Sequence, residues 1–241
     1  MIKGFHSNLV ETIILLAAAV LPAVFLMKYI YGKDKADKEP AGLLIRLVFL
    51  GVFSTLPALI LESMMENYIL PAMRIRSEVF YAIFVALEVG LIEEGCKMFF
   101  LHKAVWRNPN FNFRFDGIVY AVTVSLGFAA YENIHYVMAY GLGVAAQRAL
   151  LAVPAHMAFA VFMGAFYGRA KMCDVYGMDD KRRENMRLAY GTAVFLHAFY
   201  DACAMIGSLA ASLLFMVFVA VMYRLVTRLI QNESITDQRI F

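Results

Sequence analysis

Apolar residues in this chain come in long blocks set apart by short charged segments. The blocks cover residues 9–30, about 41–66, 78–105, 116–140, 144–167, 188–206 and 208–230. Each is long enough, at ~1.5 Å of helical rise per residue, to cross a hydrocarbon core of ~30 Å. The first is longer than a signal-peptide core and no convincing cleavage site follows it, so it reads as a spanning helix. The pattern predicts an all-α polytopic membrane protein of seven transmembrane helices, a single integral-membrane domain over residues 1–241. The shortest join, at Gly207-Ser208, separates the last two blocks.

Composition agrees with the pattern. The chain is 62% hydrophobic and 17% charged, with a mean hydropathy of +0.66. A soluble domain of this length has no use for so much apolar surface, so the expected partner is the lipid bilayer. The formal charge of +3 is small and no nucleic-acid partner is expected. Cys96, Cys173 and Cys203 have the spacing of neither a zinc knuckle nor a disulfide framework.

Charge distribution adds an orientation. The N-terminal segment and the even-numbered loops hold four basic residues, Lys3, Arg74, Arg76 and Arg148. The odd-numbered loops and the C-terminal end hold fifteen, among them Lys33, Lys35, Lys38 and the run Lys181-Arg182-Arg183. Positive loops stay in the cytoplasm, so the N-terminus is expected outside and the C-terminus inside. The fifth-loop run reads as a solvated face near anionic lipid.

Against this background the charges inside the blocks stand out. Glu93, Glu94 and Lys97 interrupt the third block, and a charge at a bilayer centre costs at least ~2.5–3.5 kcal/mol. Lys97 follows Glu93 by four residues and Glu94 by three, within reach of both on a helix. Glu132-Asn133 lie in the fourth block, His156 in the fifth and His197 in the sixth, with Asp201 one turn beyond His197 on the same face. Leaving any of these in lipid is unfavourable, so Glu93, Glu94, His156, His197 and Asp201 are expected to converge in one water-accessible cavity. A neutralised pair that locks helices together is the bland alternative.

Several proteolytic chemistries lack their residues. Ser125 is not in a Gly-x-Ser-Gly setting, Tyr200-Asp201 has no Gly-x-Gly-Asp partner, and His-Glu-x-x-His is absent. Carboxylate and histidine remain. A glutamate could act as general base toward water, or two histidines and a glutamate could hold zinc. The expectation is catalysis without a bound metal or other cofactor, with zinc on Glu93, His156 and His197 as the alternative. No two histidines have i, i+4 spacing, and Lys97 places a competing positive charge beside the carboxylates.

Taken together, Lys33-Asp34-Lys35, Lys38-Glu39-Pro40, Glu93-Glu94-x-x-Lys97, Asp116-Gly117-Ile118-Val119-Tyr120, Glu132-Asn133, His156 with Gly164, and His197-x-x-x-Asp201 resemble the PrsW family of intramembrane proteases. That family sits within the broader group of type II CAAX prenyl endopeptidases. The wider signature is Glu-Glu-x-x-x-Arg, Phe-x-x-x-His and His-x-x-x-Asn. Here Lys97 stands one residue nearer than the arginine, and Asp201 replaces the asparagine. Glu132 follows Phe128-x-x-x, which makes His156 the candidate for the missing imidazole.

The resemblance implies a multi-pass protein of the bacterial plasma membrane. It implies cleavage of a single-span membrane substrate, an anti-sigma factor, in envelope-stress signalling. It also implies Glu93 as base with Glu94 as orienting partner. Two readings from other classes stay open: a proton-coupled carrier using the same polar cluster, and a non-catalytic scaffold such as the γ-secretase subunit of that group. A carrier of the inverted-repeat kind is expected to carry internal symmetry, and none is evident.

Overall fold

The computed structural model describes residues 7–241, so Lys3, counted above for orientation, lies outside the described residues. The helices are α1 (Ser7–Lys33), α2 (Ala41–Met64), α3 (Leu70–Met73), α4 (Glu78–Val105), α5 (Asp116–Tyr140), α6 (Leu142–Leu150), α7 (Ala152–Val175), α8 (Asp179–Met205) and α9 (Leu209–Ile235). A π-helical turn, Met65–Ile69, joins α2 to α3. Among the described residues there is no strand, only an isolated bridge between Phe113 and Arg239.

The chain winds around α5. Every residue from Asp116 to Ala129 is buried, and α1, α2, α4, α6 and α7 all pack on this helix. α7 is nearly as deeply enclosed, between α5 and α8. Close approach requires glycine at the α5–α7 crossing. A Cβ on Gly117 would meet the Gly164 carbonyl oxygen at 2.6 Å, and one on Gly164 would meet Cα of Ile118 at 2.5 Å. Small residues at such crossings let two backbones approach where no hydrophobic effect drives helices together. Outside this core, α1, α2 and α9 present broad apolar faces, with Phe25, Phe49, Leu213 and Met216 exposed.

Among the described residues, five helical stretches are long and apolar enough to cross a membrane: Leu9–Lys33, Ala41–Met73, Asp116–Tyr140, Leu142–Val175 and Leu209–Ile235. α4 and α8 are as long but more heavily charged, and these two hold Glu93, Glu94, Lys97, His197 and Asp201.

The predicted third and fourth blocks coincide with α4 and α5, and other boundaries differ for identifiable reasons. Pro71 cannot donate to the carbonyl four residues back, and the second block passes through its π turn just before that proline. The fifth block is two helices, broken at Leu151, where Pro154 likewise withholds a donor. Tyr223 of α9 covers the break: its hydroxyl donates to the Leu151 carbonyl at 3.0 Å. The charged fifth loop is largely the first turns of α8. Asp179 and Asp180 occupy its first turn, where a helix favours acid, and pair with Arg182 and Arg183. Ile206, Gly207 at φ +67° and Ser208, whose side chain caps α9, make a three-residue join, one longer than the sequence pattern suggests.

Candidate active site

Helical spacing alone brings the first three charges together. On α4 the Lys97 ammonium lies 2.9 Å from Glu93 Oε2 and 2.8 Å from Glu94 Oε1. Its third contact crosses to α7, 3.1 Å to His156 Nδ1. Three N–H donors thus meet three acceptors, and the ammonium also lies 4.1 Å from the centre of the Phe128 ring. An ammonium only donates, so His156 Nδ1 accepts. Its proton therefore sits on Nε2, which donates to Glu132 Oε2 at 2.9 Å. His156 is the neutral imidazole of the site.

His197 is held differently. Its Nδ1 is 2.9 Å from Glu94 Oε1, and its Nε2 is 3.3 Å from Asp201 Oδ2 and 3.9 Å from Glu93 Oε2. Both ring nitrogens face carboxylates, the arrangement in which an imidazolium satisfies both N–H donors. Phe159 stacks on the ring at 4.9 Å, and the His156 ring stands nearly perpendicular to it at 5.4 Å. Packing leaves the imidazole little freedom to turn.

A cavity of about 570 Å³ opens onto this cluster. Glu93, Glu132, His156, His197 and Asp201 line it, whereas Glu94 and Lys97 lie behind the lining. Glu94 is fully buried, and Glu93 keeps a small exposure. The structure therefore brings together Glu93, Glu94, Lys97, Glu132, His156, His197 and Asp201. Asn133 faces the other way: its side-chain amide donates to the Ala19 carbonyl at 2.7 Å, and its oxygen accepts from Arg148 Nε at 2.9 Å.

Two lining residues escaped the sequence reading. Arg148 counts as a loop charge in a continuous fifth block, but the break at Leu151 carries α6 against the cavity. There its Nη2 forms an ion pair with Glu132 Oε2 at 3.0 Å but lies outside hydrogen-bonding geometry, so that donor makes no hydrogen bond among the described residues. Glu62 of α2 is the second, with one carboxylate oxygen buried and unpartnered. The signal for both was the one used for Glu93, a charge inside an apolar block.

The ligand atoms of Glu93, Glu94, His156 and His197 all lie within 4.8 Å of one another, and the set resembles zinc donors in type. Lys97 Nζ already sits within hydrogen-bond distance of donor atoms on three of the four. A zinc ion at ~2.0–2.2 Å from these atoms would contact the ammonium, so the residues as arranged do not fit a metal.

Comparison with known proteins places the chain. A family model described as PrsW family intramembrane metalloprotease matches residues 39–226. Protease PrsW of Geobacillus kaustophilus (strain HTA426) is 36% identical over 187 residues, covering 78% of each chain. Protease PrsW of Bacillus subtilis (strain 168) is 34% identical over 187 residues, 78% of this chain and 81% of that one. Protease PrsW of Clostridioides difficile (strain 630) is 32% identical over 211 residues, 86% of each. No solved structure matches. With a family match that spans most of its length and relatives above 30% identity, this chain belongs to the PrsW family of membrane proteases.

Proposed function

We propose that the chain is an intramembrane endopeptidase in which Glu93 activates water. The observation that carries this reading is the asymmetry of two adjacent carboxylates: Glu93 lines the cavity and Glu94 is sealed behind it. Glu93 accepts a proton from water as the water oxygen bonds to the substrate carbonyl carbon. The oxyanion that forms is met by Arg148 Nη2, which makes no hydrogen bond among the described residues and lies 3.0 Å from Glu132 Oε2 on the cavity wall. The C–N bond then breaks as His197 gives its proton to the leaving amine, with Asp201 and Glu94 holding the ring in place. Lys97 keeps Glu93 and Glu94 ionised side by side, and Glu132 fixes the tautomer of His156. No step passes through a metal. The clustering of four potential ligands favours a zinc-dependent second reading, which requires Lys97 to withdraw.

The substrate in this reading is a single-span membrane protein, an anti-sigma factor, as the family resemblance implies. In this reading the chain is a single integral-membrane domain with seven spans in the bacterial plasma membrane. α4 and α8 cross with the five more apolar stretches, and the basic ends lie in the cytoplasm. The test is cleavage of an end-tagged anti-sigma factor by purified protein in detergent, with metal analysis of the same sample. Loss of cleavage in Glu93→Gln without loss of fold is the expected result. An active Glu93→Gln protein overturns the assignment. Stoichiometric zinc whose removal abolishes activity and whose return restores it converts the glutamate from base to ligand.

A further inference from the structure

Three carboxyl groups gather at the far end of α5, where the proposed reaction makes no use of them. Asp34 lies just past α1, Glu39 just before α2, and Asp116 is the first residue of α5. An oxygen from each lies within 4.8 Å of the others, and the residues are 1%, 4% and 0% exposed. Asp116 and Glu132 are sixteen residues apart on one helix, so the cluster is roughly 24 Å from the active site.

Some of these oxygens have donors. Glu39 Oε2 accepts from the Tyr120 hydroxyl at 2.5 Å, and Asp116 Oδ2 accepts from the N–H groups of Asn112 at 3.0 Å and Phe113 at 2.7 Å. Such bonds favour the ionised carboxylate. The other oxygens are different. Both oxygens of Asp34, Oδ1 of Asp116 and Oδ1 of Asn112 are buried and meet no donor in hydrogen-bonding geometry. The Glu39 N–H lies close enough to Asp34 to lower its pKa but falls outside that geometry.

Nearby cations compensate the cluster only in part, since the Lys38 charge favours ionised Asp34 without pairing with its carboxylate. The Lys38 ammonium donates to the main-chain carbonyls of Tyr31 and Asp34 and lies over the Tyr31 ring. Arg114 pairs with Glu233 at 2.9 Å. Asp37 and Asp237 add negative charge around Asp34. With the three carboxyl groups buried and oxygens of Asp34 and Asp116 unpartnered, holding the trio ionised is unfavourable without a further cation.

The donor set is all oxygen, which suits a hard ion and disfavours zinc or copper. We infer that Asp34, Glu39 and Asp116 bind one hard divalent cation, magnesium or calcium, and so clamp the α1–α2 connection to the start of α5. Calcium accepts irregular shells of six to eight oxygens, and magnesium keeps several waters in a tighter octahedron; the same carboxylates serve either. The ion's place is structural, at the end of α5 remote from Glu132 and His156.

Calorimetric titration of chelator-treated full-length protein in detergent with magnesium chloride, and separately with calcium chloride, tests this. One equivalent of at least one ion is expected to bind saturably, and the tighter ion is the occupant. Asp34→Asn should weaken binding at least tenfold, whereas Glu93→Gln should bind unchanged. The wild-type titration needs no variant to fold. The inference is overturned if neither ion binds wild type at up to ~10 mM, tenfold above the weak end of protein calcium sites. It is also overturned if Glu93→Gln abolishes binding while Asp34→Asn keeps it, which puts the ion in the active site. Binding requires no turnover, so an inactive protein that binds leaves this inference standing and counts only against the protease reading.

Discussion

Two buried carboxylate clusters sit near the two ends of α5, and they solve the same electrostatic problem in opposite ways. At the active site four carboxylates, Glu93, Glu94, Glu132 and Asp201, meet Lys97, Arg148 and His197 at contact distances. At the other end Asp34, Glu39 and Asp116 share a comparable space with no side-chain cation among the described residues paired to them. The first cluster carries counter-charge in the chain, as Lys97, Arg148 and His197. The second must take its counter-charge from solution, as protons or as a metal ion. Charge held in the chain serves chemistry that has to be ready at all times, and charge taken from solution makes stability depend on conditions.

The largest expected effect falls on chemistry. Glu93→Gln should lower the cleavage rate about a thousandfold, within the ~10²–10⁴ range of general-base catalysis, with a thermal midpoint close to wild type. Following the tagged substrate by gel gives the rate. Next comes Lys97→Met, which leaves two buried carboxylates without their ammonium and should cost about 3–5 kcal/mol of stability, measured by denaturant unfolding in mixed micelles. A neutral result there would mean that the active-site cluster does not depend on its internal cation, and the contrast with the second cluster would collapse.

Smaller changes sharpen the contrast. Asp201→Asn keeps the shape beside His197 and removes one charge, so kcat should fall about tenfold while KM stays put, a split that initial-rate kinetics resolves. The smallest effect concerns the second cluster and pH. The folded-state pKa of Asp34 is raised from 3.8 to about 6 and that of Glu39 from 4.5 to about 7, chiefly by burial. Between about pH 4 and pH 7 the folded state therefore binds more protons than the unfolded one, and stability falls as pH rises through that window. Chelator-treated protein should melt lower at pH 8 than at pH 5, and saturating divalent cation should flatten the slope. A midpoint that rises with pH under chelation would show that these carboxylates are compensated after all.

Much of the candidate site's geometry was legible because its signal is local. Glu93, Glu94 and Lys97 lie on one helix at a spacing that forces contact, and His197 and Asp201 repeat the device on another. The meeting of α4, α5, α7 and α8 followed from the cost of polar groups in lipid, without knowledge of packing. Arg148 was missed because its approach depends on the break at Leu151, which depends in turn on Pro154 and on Tyr223 seventy residues away. Asp34, Glu39 and Asp116 were visible only as motif residues, since three connections must fold before they meet. Counting apolar blocks gave seven candidate spans, and length with apolarity alone singles out five, because α4 and α8 exchange hydrophobic residues for the site they carry.

The pairing within α4 also bears on how the chain enters its membrane. Lys97 reaches Glu93 and Glu94 across a single helical turn, with no help from another helix. In the proposed seven-span arrangement, Lys97 already offsets one of the two negative charges on α4, and the transfer penalty of isolated ions is reduced before any neighbour arrives. His156 and His197 belong to helices made later, so the site is assembled in the order of synthesis, first the ammonium with its carboxylates and then the imidazoles. Moving Lys97 to another helix could preserve the finished contacts and still fail at the insertion step, where α4 would stand alone with two unpaired acids.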